Sequence, residues 1–479
     1  MFLEDIARYA LNYALSHGAN YAEVRLQRDN GSAALLKNGN PEVSSLIKNY
    51  GIGIRVLAHG SMGFASTNIL DRENVSECIL EAISMTKSVS GRLRKNIDFS
   101  SNIVSNEKWN ATPKVDVNSI GFDEKFELLL DIEKATISSC NDFKMPNRLF
   151  IIESEETEKI FLNSEGSFIQ SSVPRVSFTY ILTAYKAGKG TAQRFNQKGE
   201  TKGWEAINEW NLINFVADET KILGKILKQA VAPPKDDRLD ILLGSEVVGI
   251  ICHESCGHPF EADRIIGREA AEAGESFISP EMLGQKIGSD AVTVVDDPTL
   301  PNSYGFYLYD DEGVKARRRD LIKNGFINTF LHNRETAIEF EVETNGSSRS
   351  EAYNKEPIIR MANTYMDPGD YKFDELLEDI SYGIFMKNFM EWNIDDKRFN
   401  QRYVGLEAYE IIKGELKKLI RNPILEITTP ALYSSVDAVG KDLSFNAAIC
   451  GKGDPQQGIP VWTGGPSIRV RKMRLGGLP

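Results

Sequence analysis

The 479-residue sequence is poor in cysteine and histidine and has no long apolar run. Its five cysteines are scattered and odd in number, which is not the pattern of a disulfide framework. No apolar run approaches the ~18 residues that span a bilayer. Glu4 and Asp5 stand where a secretory signal would be basic. Together, these absences predict a cytoplasmic protein without a membrane segment.

The sequence also lacks an excess of basic residues. It has 56 Lys and Arg against 68 Asp and Glu, a net charge of -12. A surface of this charge repels nucleic acid and anionic membranes, so neither is expected as a partner. The hydrophobic fraction of 41% is typical of a globular protein. The length exceeds what a single core usually supports, so at least two domains are expected.

Two regions with different sequence patterns predict an α+β fold. Residues 1–234 combine helical periodicity with β-rich segments, which predicts an N-terminal α+β domain of antiparallel strands and flanking helices. Residues 235–479 are predicted to form a strand-rich C-terminal domain with one apolar helix near its start. The N-terminal helices are expected at about 2–16, 71–88, 123–140 and 209–231. The segments "IKNGFI" and "IIKGEL" of the second region are typical of hairpins with a glycine turn.

The stretch "GSEVVGIICHESCGHPFEADR", residues 244–264, holds two of the five histidines. Ser245 is predicted to cap the helix that begins here. His253 and His258 are five residues apart and diverge by about 140° on a regular helix, so they cannot share an ion there. Either a π-type bulge or a loosened backbone at Gly257 would bring them together. Pro259 should end the helix.

Other interpretations of this stretch remain open on spacing alone. His253 and Cys256 lie three residues apart and share a helix face, and Cys252 and Cys256 lie four apart. The histidines could also belong to a packed helix and only form hydrogen bonds. Glu254 argues against that simple packing, because an acid among apolar residues is costly unless it is paired or used.

Several motifs resemble the TldD/PmbA family of metallopeptidases, also described as modulators of gyrase. "HESCGHPFEADR" resembles the H-E-x-x-x-H segment of the TldD branch. Three further segments also resemble family motifs: "GIGIRVLAHGSMGFAS", "VTVVDDPTLPNSYGFYLYDDEGVKARR" and "ICGKGDPQQGIPVWTGGPSIRV". Residues 375–420 match no family motif.

The resemblance implies a set of site residues. His253 and His258 become metal ligands, Cys450 becomes the third ligand, and Glu254 becomes the catalytic acid-base. One zinc ion per chain is implied, with an open fourth position for water. Cys252 and Cys256 then become packing residues.

The resemblance also implies a function. It is hydrolysis of internal bonds in unfolded or modified peptides by a dimer. The partner would be a metal-free PmbA/TldE-like sibling subunit or a second copy. Two alternatives remain: a metal-dependent hydrolase of non-peptide amides, and a peptide-binding or assembly protein with a structural zinc ion.

Overall fold

A computed structural model describes residues 3–92, 95–234, 238–269 and 274–476 of the chain. It has the mixed helix and strand content of an α+β fold, with a strand-rich C-terminal region, so the predicted fold class is confirmed. None of the helices in these ranges is long and apolar enough to cross a membrane.

The N-terminal region is built on one long-stranded sheet with helices against it. Its elements are α1 (Leu3–Ser16), β1 (Tyr21–Lys37), β2 (Asn40–Ala58), β3 (Ser61–Thr67), α2 (Arg72–Val89), β4 (Asn106–Asn110), α3 (Phe122–Ser138), β5 (Lys144–Asn163), β6 (Phe168–Lys186), β7 (Gly190–Glu200), α4 (Glu205–Glu209) and α5 (Leu212–Gln229). The sheet runs in the order β3-β2-β1-β5-β6-β4, and β7 also pairs with β6. All pairs are antiparallel except β4 with β6.

A local sequence signal accounts for the start of α2. Asp71 precedes α2, and its carboxylate accepts a hydrogen bond from the backbone N–H of Asn74 at 2.8 Å, as expected of an N-cap. The helix predicted at about 209–231 is found as α5, which begins three residues later, at Leu212. Asn211 adopts a left-handed φ of 47° and separates α4 from α5. A strand, β4, also lies in the polar stretch before α3 that carries no strand signal.

The C-terminal region contains many short strands. The first elements are β8 (Leu239–Leu243), α6 (Ser245–Cys252), a π-helical turn (His253–Gly257), a 3-10 turn (His258–Phe260), α7 (Ala262–Ile265), a 3-10 turn (Pro280–Met282), β9 (Val294–Asp296), β10 (Arg319–Lys323), β11 (Phe326–Ile327), α8 (Arg334–Glu339), β12 (Ser348–Arg349), β13 (Ile358–Ile359) and β14 (Asn363–Met366). The remaining elements are α9 (Phe373–Glu378), β15 (Tyr382–Met386), β16 (Phe389–Ile394), β17 (Asn400–Gly405), β18 (Ala408–Ile412), β19 (Glu415–Ile420), β20 (Ile424–Thr428), α10 (Thr429–Ser434), β21 (Val436–Val439), β22 (Ser444–Lys452), β23 (Gln457–Gly465), β24 (Ile468–Met473) and β25 (Leu475–Gly476).

These strands form two six-stranded sheets and two smaller ones. The orders are β11-β10-β9-β14-β23-β22, β19-β18-β15-β8-β24-β21, β16-β17-β20-β25 and β12-β13. Both predicted hairpins are confirmed, β10 with β11 and β18 with β19. Each turn has two residues with positive φ, the second a glycine, which matches the twist of antiparallel strands. The apolar helix α6 is buried in the core of this region.

The division into two domains at 234/235 stays a prediction. The boundary adjoins residues 235–237, which lie outside the described ranges. Strands β1–β7 form one sheet, and strands β8–β25 form the others.

Candidate metal centre

A change in helical pitch brings the two histidines together. The α6 helix continues into a π-helical turn, where the backbone N–H of His258 donates to the carbonyl oxygen of His253, five residues earlier. The extra residue is thereby absorbed, and the two imidazole rings lie 4.9 Å apart between centroids. Of the two predicted remedies, the π-type bulge is the one found. Gly257 has ordinary right-handed helical angles.

Gly257 has a different role in this turn, since it permits close packing. A Cβ atom at this position would overlap Sδ of Met361, and it would lie 3.1 Å from Cγ of the same side chain. The absence of a side chain therefore lets the histidine-bearing turn pack directly on buried Met361.

The predicted cap at Ser245 is wrong. The N-cap position is Gly244, which has no side chain, and Ser245 is already the first helical residue. The hydroxyl group of Ser245 instead donates to the carbonyl oxygen of Gly465 at 2.5 Å, tying the start of α6 to β23. Glu246 in the first turn accepts two hydrogen bonds from Arg194, at 2.6 and 2.8 Å, which ties the helix to β7.

Cys450 reaches the histidines from strand β22. Its Sγ lies 3.4 Å from Nε2 of His258, although the two residues are 192 positions apart in the chain. One donor atom from each of His253, His258 and Cys450 lies within 4.8 Å of the other two, and all three residues are buried. Of the residues that the structure describes, these form the one group of three such side chains close enough to hold an ion.

The two other cysteines of the motif take no part in this group. Cys252 and Cys256 are fully buried in the apolar core around α6. Burial raises the pKa of Cys252, and burial together with the nearby Cys252 and Asp296 raises that of Cys256. Both remain protonated thiols that pack against apolar neighbours. The structure therefore does not form the alternative His253–Cys256 or Cys252–Cys256 groupings.

Cys450 has the opposite electrostatic environment. Burial alone would raise its pKa, but His258, His253 and Arg360 outweigh burial and hold the pKa well below its usual value. Arg360 also donates a hydrogen bond to the backbone carbonyl oxygen of Cys450. The site therefore favours the thiolate, which is the form that binds metals.

Glu261 orients the second histidine. Nδ1 of His258 donates to Oε2 of Glu261 at 3.1 Å, which leaves the lone pair of Nε2 directed at Cys450. Burial would raise the pKa of Glu261, but Lys452, His258 and Arg264 lower it well below its usual value. A charged carboxylate behind a ligand imidazole is typical of protein metal sites, where it fixes the tautomer and strengthens the donor.

Glu254 lies beside the donor group and is almost completely buried. Its Oε2 accepts a hydrogen bond from Nη1 of Arg398, a residue in the turn between β16 and β17. Arg398 has a left-handed φ of 64°, and its carbonyl oxygen accepts from the hydroxyl of Thr429 at 2.9 Å. This turn packs further against the rest of the fold through the rings of Phe399 and Phe277, 5.5 Å apart.

Sequence reasoning missed two of these residues. Glu261 stands three positions after His258, and this spacing at the end of a helix was an available signal. Arg398 lies within residues 375–420, where no motif was recognised in the sequence, and it is 144 residues from Glu254. We find no local pattern that would have indicated it. His17 and His59 are exposed, and buried His332 packs between Phe330 and Phe340, so none belongs to the donor group.

The types of donor in this group, and the spacing of one donor pair, fit a zinc ion. Zinc bonds of about 2.0–2.3 Å to nitrogen and sulfur in a tetrahedron place neighbouring donors about 3.3–3.8 Å apart. The 3.4 Å between Sγ of Cys450 and Nε2 of His258 lies in that range. Three protein donors leave one tetrahedral position for water or substrate, which distinguishes catalytic from structural zinc sites.

Two imidazoles, a thiolate and an adjacent buried carboxylate form a centre of the kind found in metal-dependent hydrolases. Three family models match the chain: PmbA/TldA metallopeptidase domain 1 over residues 22–86, the central domain over 116–232, and the C-terminal domain over 236–477. The chain therefore belongs to the PmbA/TldD metallopeptidase family, and the resemblance found in the sequence is confirmed.

Relatives and solved structures agree with this assignment. A metalloprotease from Methanothermobacter thermautotrophicus is 33% identical, with 95% of each chain covered. A protein from Saccharolobus solfataricus, named a zinc metalloprotease TldD homolog, is 25% identical over 96% of this chain and 97% of its own. The crystal structure of TldE from Thermococcus kodakarensis shares the fold, with a TM-score of 0.74, 16% identity, and coverage of 99% of this chain and 100% of its own.

Proposed function

We propose that this chain is a zinc-dependent peptidase that hydrolyses internal bonds of unfolded or modified peptides. The observation that carries the proposal is the convergence of His253, His258 and Cys450 within 4.8 Å, next to buried Glu254. The name of the Saccharolobus solfataricus relative supports zinc as the metal.

Each residue of the centre has a distinct role in this proposal. His253, His258 and Cys450 would hold the ion, with one ion per chain. A bound zinc ion supplies Lewis acidity for the peptide carbonyl and lowers the pKa of water toward about 7. Glu254 accepts the proton of the attacking water and passes it to the leaving amine. Because Arg398 binds Oε2 of Glu254, the other oxygen, Oε1, is the one that accepts the proton.

The proposal includes a dimeric assembly. The shared fold with TldE supports a partner of the same architecture, either a metal-free sibling subunit or a second copy. An enclosed site between two subunits would admit extended peptides and exclude folded proteins. The cytoplasmic location stays a prediction from the sequence.

Metal analysis of two cysteine variants tests the centre. The purified protein should hold one equivalent of zinc, which Cys450→Ala should lose and Cys256→Ala should keep. Cys256 is the matched control because it is also buried and lies outside the donor group. Full zinc content in Cys450→Ala would disprove the assignment.

A second experiment separates a peptidase from the alternatives. Glu254→Gln should keep its zinc and lose peptide hydrolysis by about 10²–10⁴-fold, measured as new amino termini released from a disordered peptide. If the zinc is only structural, neutralising Glu254 changes no activity, and chelation unfolds the protein. If the substrate is a non-peptide amide, the wild-type protein releases no amino termini.

A further inference from the structure

A cavity of about 370 Å³ lies between the N-terminal sheet and the C-terminal region. Its wall includes Gln27 and Asp29 of β1 and Glu153 and Glu155 of β5, because residues two apart on a strand point to the same face of the sheet. None of the three metal donors lines it. The volume lies within the range of about 300–1,000 Å³ that is typical of ligand pockets.

The wall of this cavity carries more acidic than basic side chains. Six carboxyl groups line it, against three basic groups. The basic groups are already engaged, since Lys159 donates to both oxygens of Asp311, and Arg175 and Arg349 donate to backbone carbonyl oxygens. Of the six carboxyl groups, only that of Asp311 forms an ion pair with a described residue. The cavity therefore has acidic groups to spare for a cation.

Glu155 is the carboxyl group that most clearly lacks a partner. It lies directly opposite Arg175 in the pairing of β5 with β6. The guanidinium of Arg175 instead donates to the carbonyl oxygens of Tyr304 and Phe306, at 3.1 and 3.2 Å, and Glu155 forms no hydrogen bond or ion pair in the described ranges. Burial, and after it the charge of Asp29, raises the pKa of Glu155 to about 7 despite Arg175. A bound cation would supply the missing positive charge.

Gln27 offers a second unused acceptor. The residue is only 4% exposed, and its Nε2 donates to both carboxylate oxygens of Asp29 and to the carbonyl oxygen of Glu351, at 3.0 Å each. These three acceptors fix the orientation of the amide, because an oxygen in that position would be repelled by all of them. Oε1 of Gln27 therefore remains as an acceptor, and no described residue donates to it. A buried polar atom of this kind requires a donor from a ligand or from water.

Aromatic rings form much of the remaining wall. The aromatic lining residues are Trp109, Tyr304, Phe306, Tyr307 and Tyr309. One of them already contacts a cation, since the guanidinium of Arg349 lies 5.1 Å from the ring centroid of Tyr307. Carboxyl and amide oxygens that lack donors, next to aromatic rings, suit a cation with several N–H groups.

We propose that this cavity is a specificity subsite that binds the guanidinium or ammonium group of a basic side chain in the substrate peptide, with Glu155 as its charge partner. The role of the cavity as a subsite rests on the proposed peptidase function, whereas the binding of the cation rests on the cavity alone.

The position of the cavity agrees with this role. Ile449 lines the cavity, and the next residue of β22, Cys450, belongs to the donor group. Neighbouring residues of a strand point to opposite faces, so the cavity and the metal centre lie on opposite sides of β22. The basic residue would therefore bind at a fixed distance along the peptide from the bond that is cut.

A peptide series tests the specificity. Disordered peptides of one neutral sequence carry a single Arg at successive positions, with Gln at the same position as the reference. The wild-type protein should cut at a constant number of residues from the Arg, with kcat/KM about tenfold or more above the Gln peptide, because a desolvated charge pair contributes at least this much. Equal kcat/KM for the Arg and Gln peptides would overturn the proposal.

Two matched variants assign the preference to the cavity. Glu155→Gln keeps the shape of the side chain and removes its charge, so the kcat/KM ratio of the Arg and Gln peptides should fall to about one. Glu158→Gln is the control, because Glu158 lies on the same strand, points to the other face, and has 51% of its side chain exposed. It should keep the wild-type ratio. A wild-type ratio in Glu155→Gln would refute the assignment, and circular dichroism verifies that both variants are folded.

Binding without cleavage separates the cation site from the peptidase function. Fluorescence anisotropy with labelled Arg and Gln peptides, on Glu254→Gln protein of full length, should give a dissociation constant about tenfold or more lower for the Arg peptide. Adding Glu155→Gln should remove this difference. If the wild-type protein cuts no peptide but the difference in binding is found, the cation site stands and the peptidase function fails. If peptides are cut but the two bind equally, the cation site is refuted.

Discussion

Arg398 and Glu254 are 144 residues apart in the chain, and their side chains form a hydrogen-bonded ion pair in the fold. Both are nearly buried, with 10% and 9% of their side-chain surface exposed. A buried charge without a partner is costly, so removing either residue would leave the other as an unpaired buried charge. The pair also fixes the position of Oε2 of Glu254 and thereby restricts the orientation of the carboxylate.

Replacing Arg398 should therefore impair turnover more than binding. We expect Arg398→Ala to lower kcat by about 10–100-fold with little change in KM and with zinc retained, because a misplaced base loses proton-transfer efficiency. Arg398→Lys should recover part of kcat. Steady-state kinetics on a disordered peptide, with metal analysis, measures this. Arg402→Ala is the control, since Arg402 lies in the adjoining strand and is 37% exposed. An equal kcat in Arg398→Ala and wild type would show that the ion pair is only structural.

Glu261 should control metal affinity rather than turnover. Glu261→Gln keeps the shape of the side chain but removes the charge behind His258, so the dissociation constant for zinc should rise about 10–100-fold. Competition with a chromogenic chelator measures the change. Asp263→Asn is a suitable control, because Asp263 contacts Lys452 as Glu261 does and makes no contact with His258. Equal losses of zinc affinity in the two variants would show that the effect arises from the contacts with Lys452 and not from the hydrogen bond with His258.

Gly257 and Met361 should show strong energetic coupling. Gly257→Ala forces a Cβ into the space of the Met361 side chain, and overpacking of this kind costs about 1–3 kcal/mol of unfolding free energy. In a Met361→Ala background the added methyl group has room, so the penalty should largely disappear. Urea denaturation of the two single variants and the double variant gives the coupling energy. If the losses of unfolding free energy in the two single variants simply add in the double variant, Gly257 and Met361 are not in close contact.

His332, which lies outside the metal centre, should make the stability of the fold sensitive to acid. Burial lowers the pKa of His332 to about 4, against about 6.5 in an unfolded chain. Between these values the unfolded state binds the extra proton, so stability falls as the pH drops from 6.5 to 4, by up to about 3 kcal/mol. His332→Phe, between Phe330 and Phe340, should lose less stability over this range. Urea unfolding of the variant and the wild-type protein at pH 7 and pH 4.5 measures how much stability each loses. Identical losses in the two proteins would contradict the prediction.

Local signals in the sequence were sufficient to predict several elements of the fold. Asp71 marks the start of α2, and the Asn324–Gly325 and Lys413–Gly414 turns mark two hairpins. The predicted start of α5 is three residues early, because the left-handed conformation of Asn211 leaves no trace in the hydrophobic spacing.

The site was predictable where residues are close in sequence. On a regular helix the five-residue spacing of His253 and His258 would keep the two rings from sharing an ion, and the π-helical turn is one of the two distortions predicted from it. Ser245 satisfied the cap rule, yet Gly244 takes the N-cap position, and the serine hydroxyl donates to Gly465 of strand β23 instead. The contact of Arg398 with Glu254 depends on how the β16–β17 hairpin packs, which no local pattern encodes.

The 192-residue separation of His258 and Cys450 affects the newly made chain. Synthesis proceeds from the amino terminus, so both histidines and Glu254 leave the ribosome long before the sulfur exists. A polypeptide interrupted anywhere before residue 450 has an incomplete set of donors. Assembly of the three-donor group therefore waits for strand β22, which makes the site a product of the finished C-terminal region.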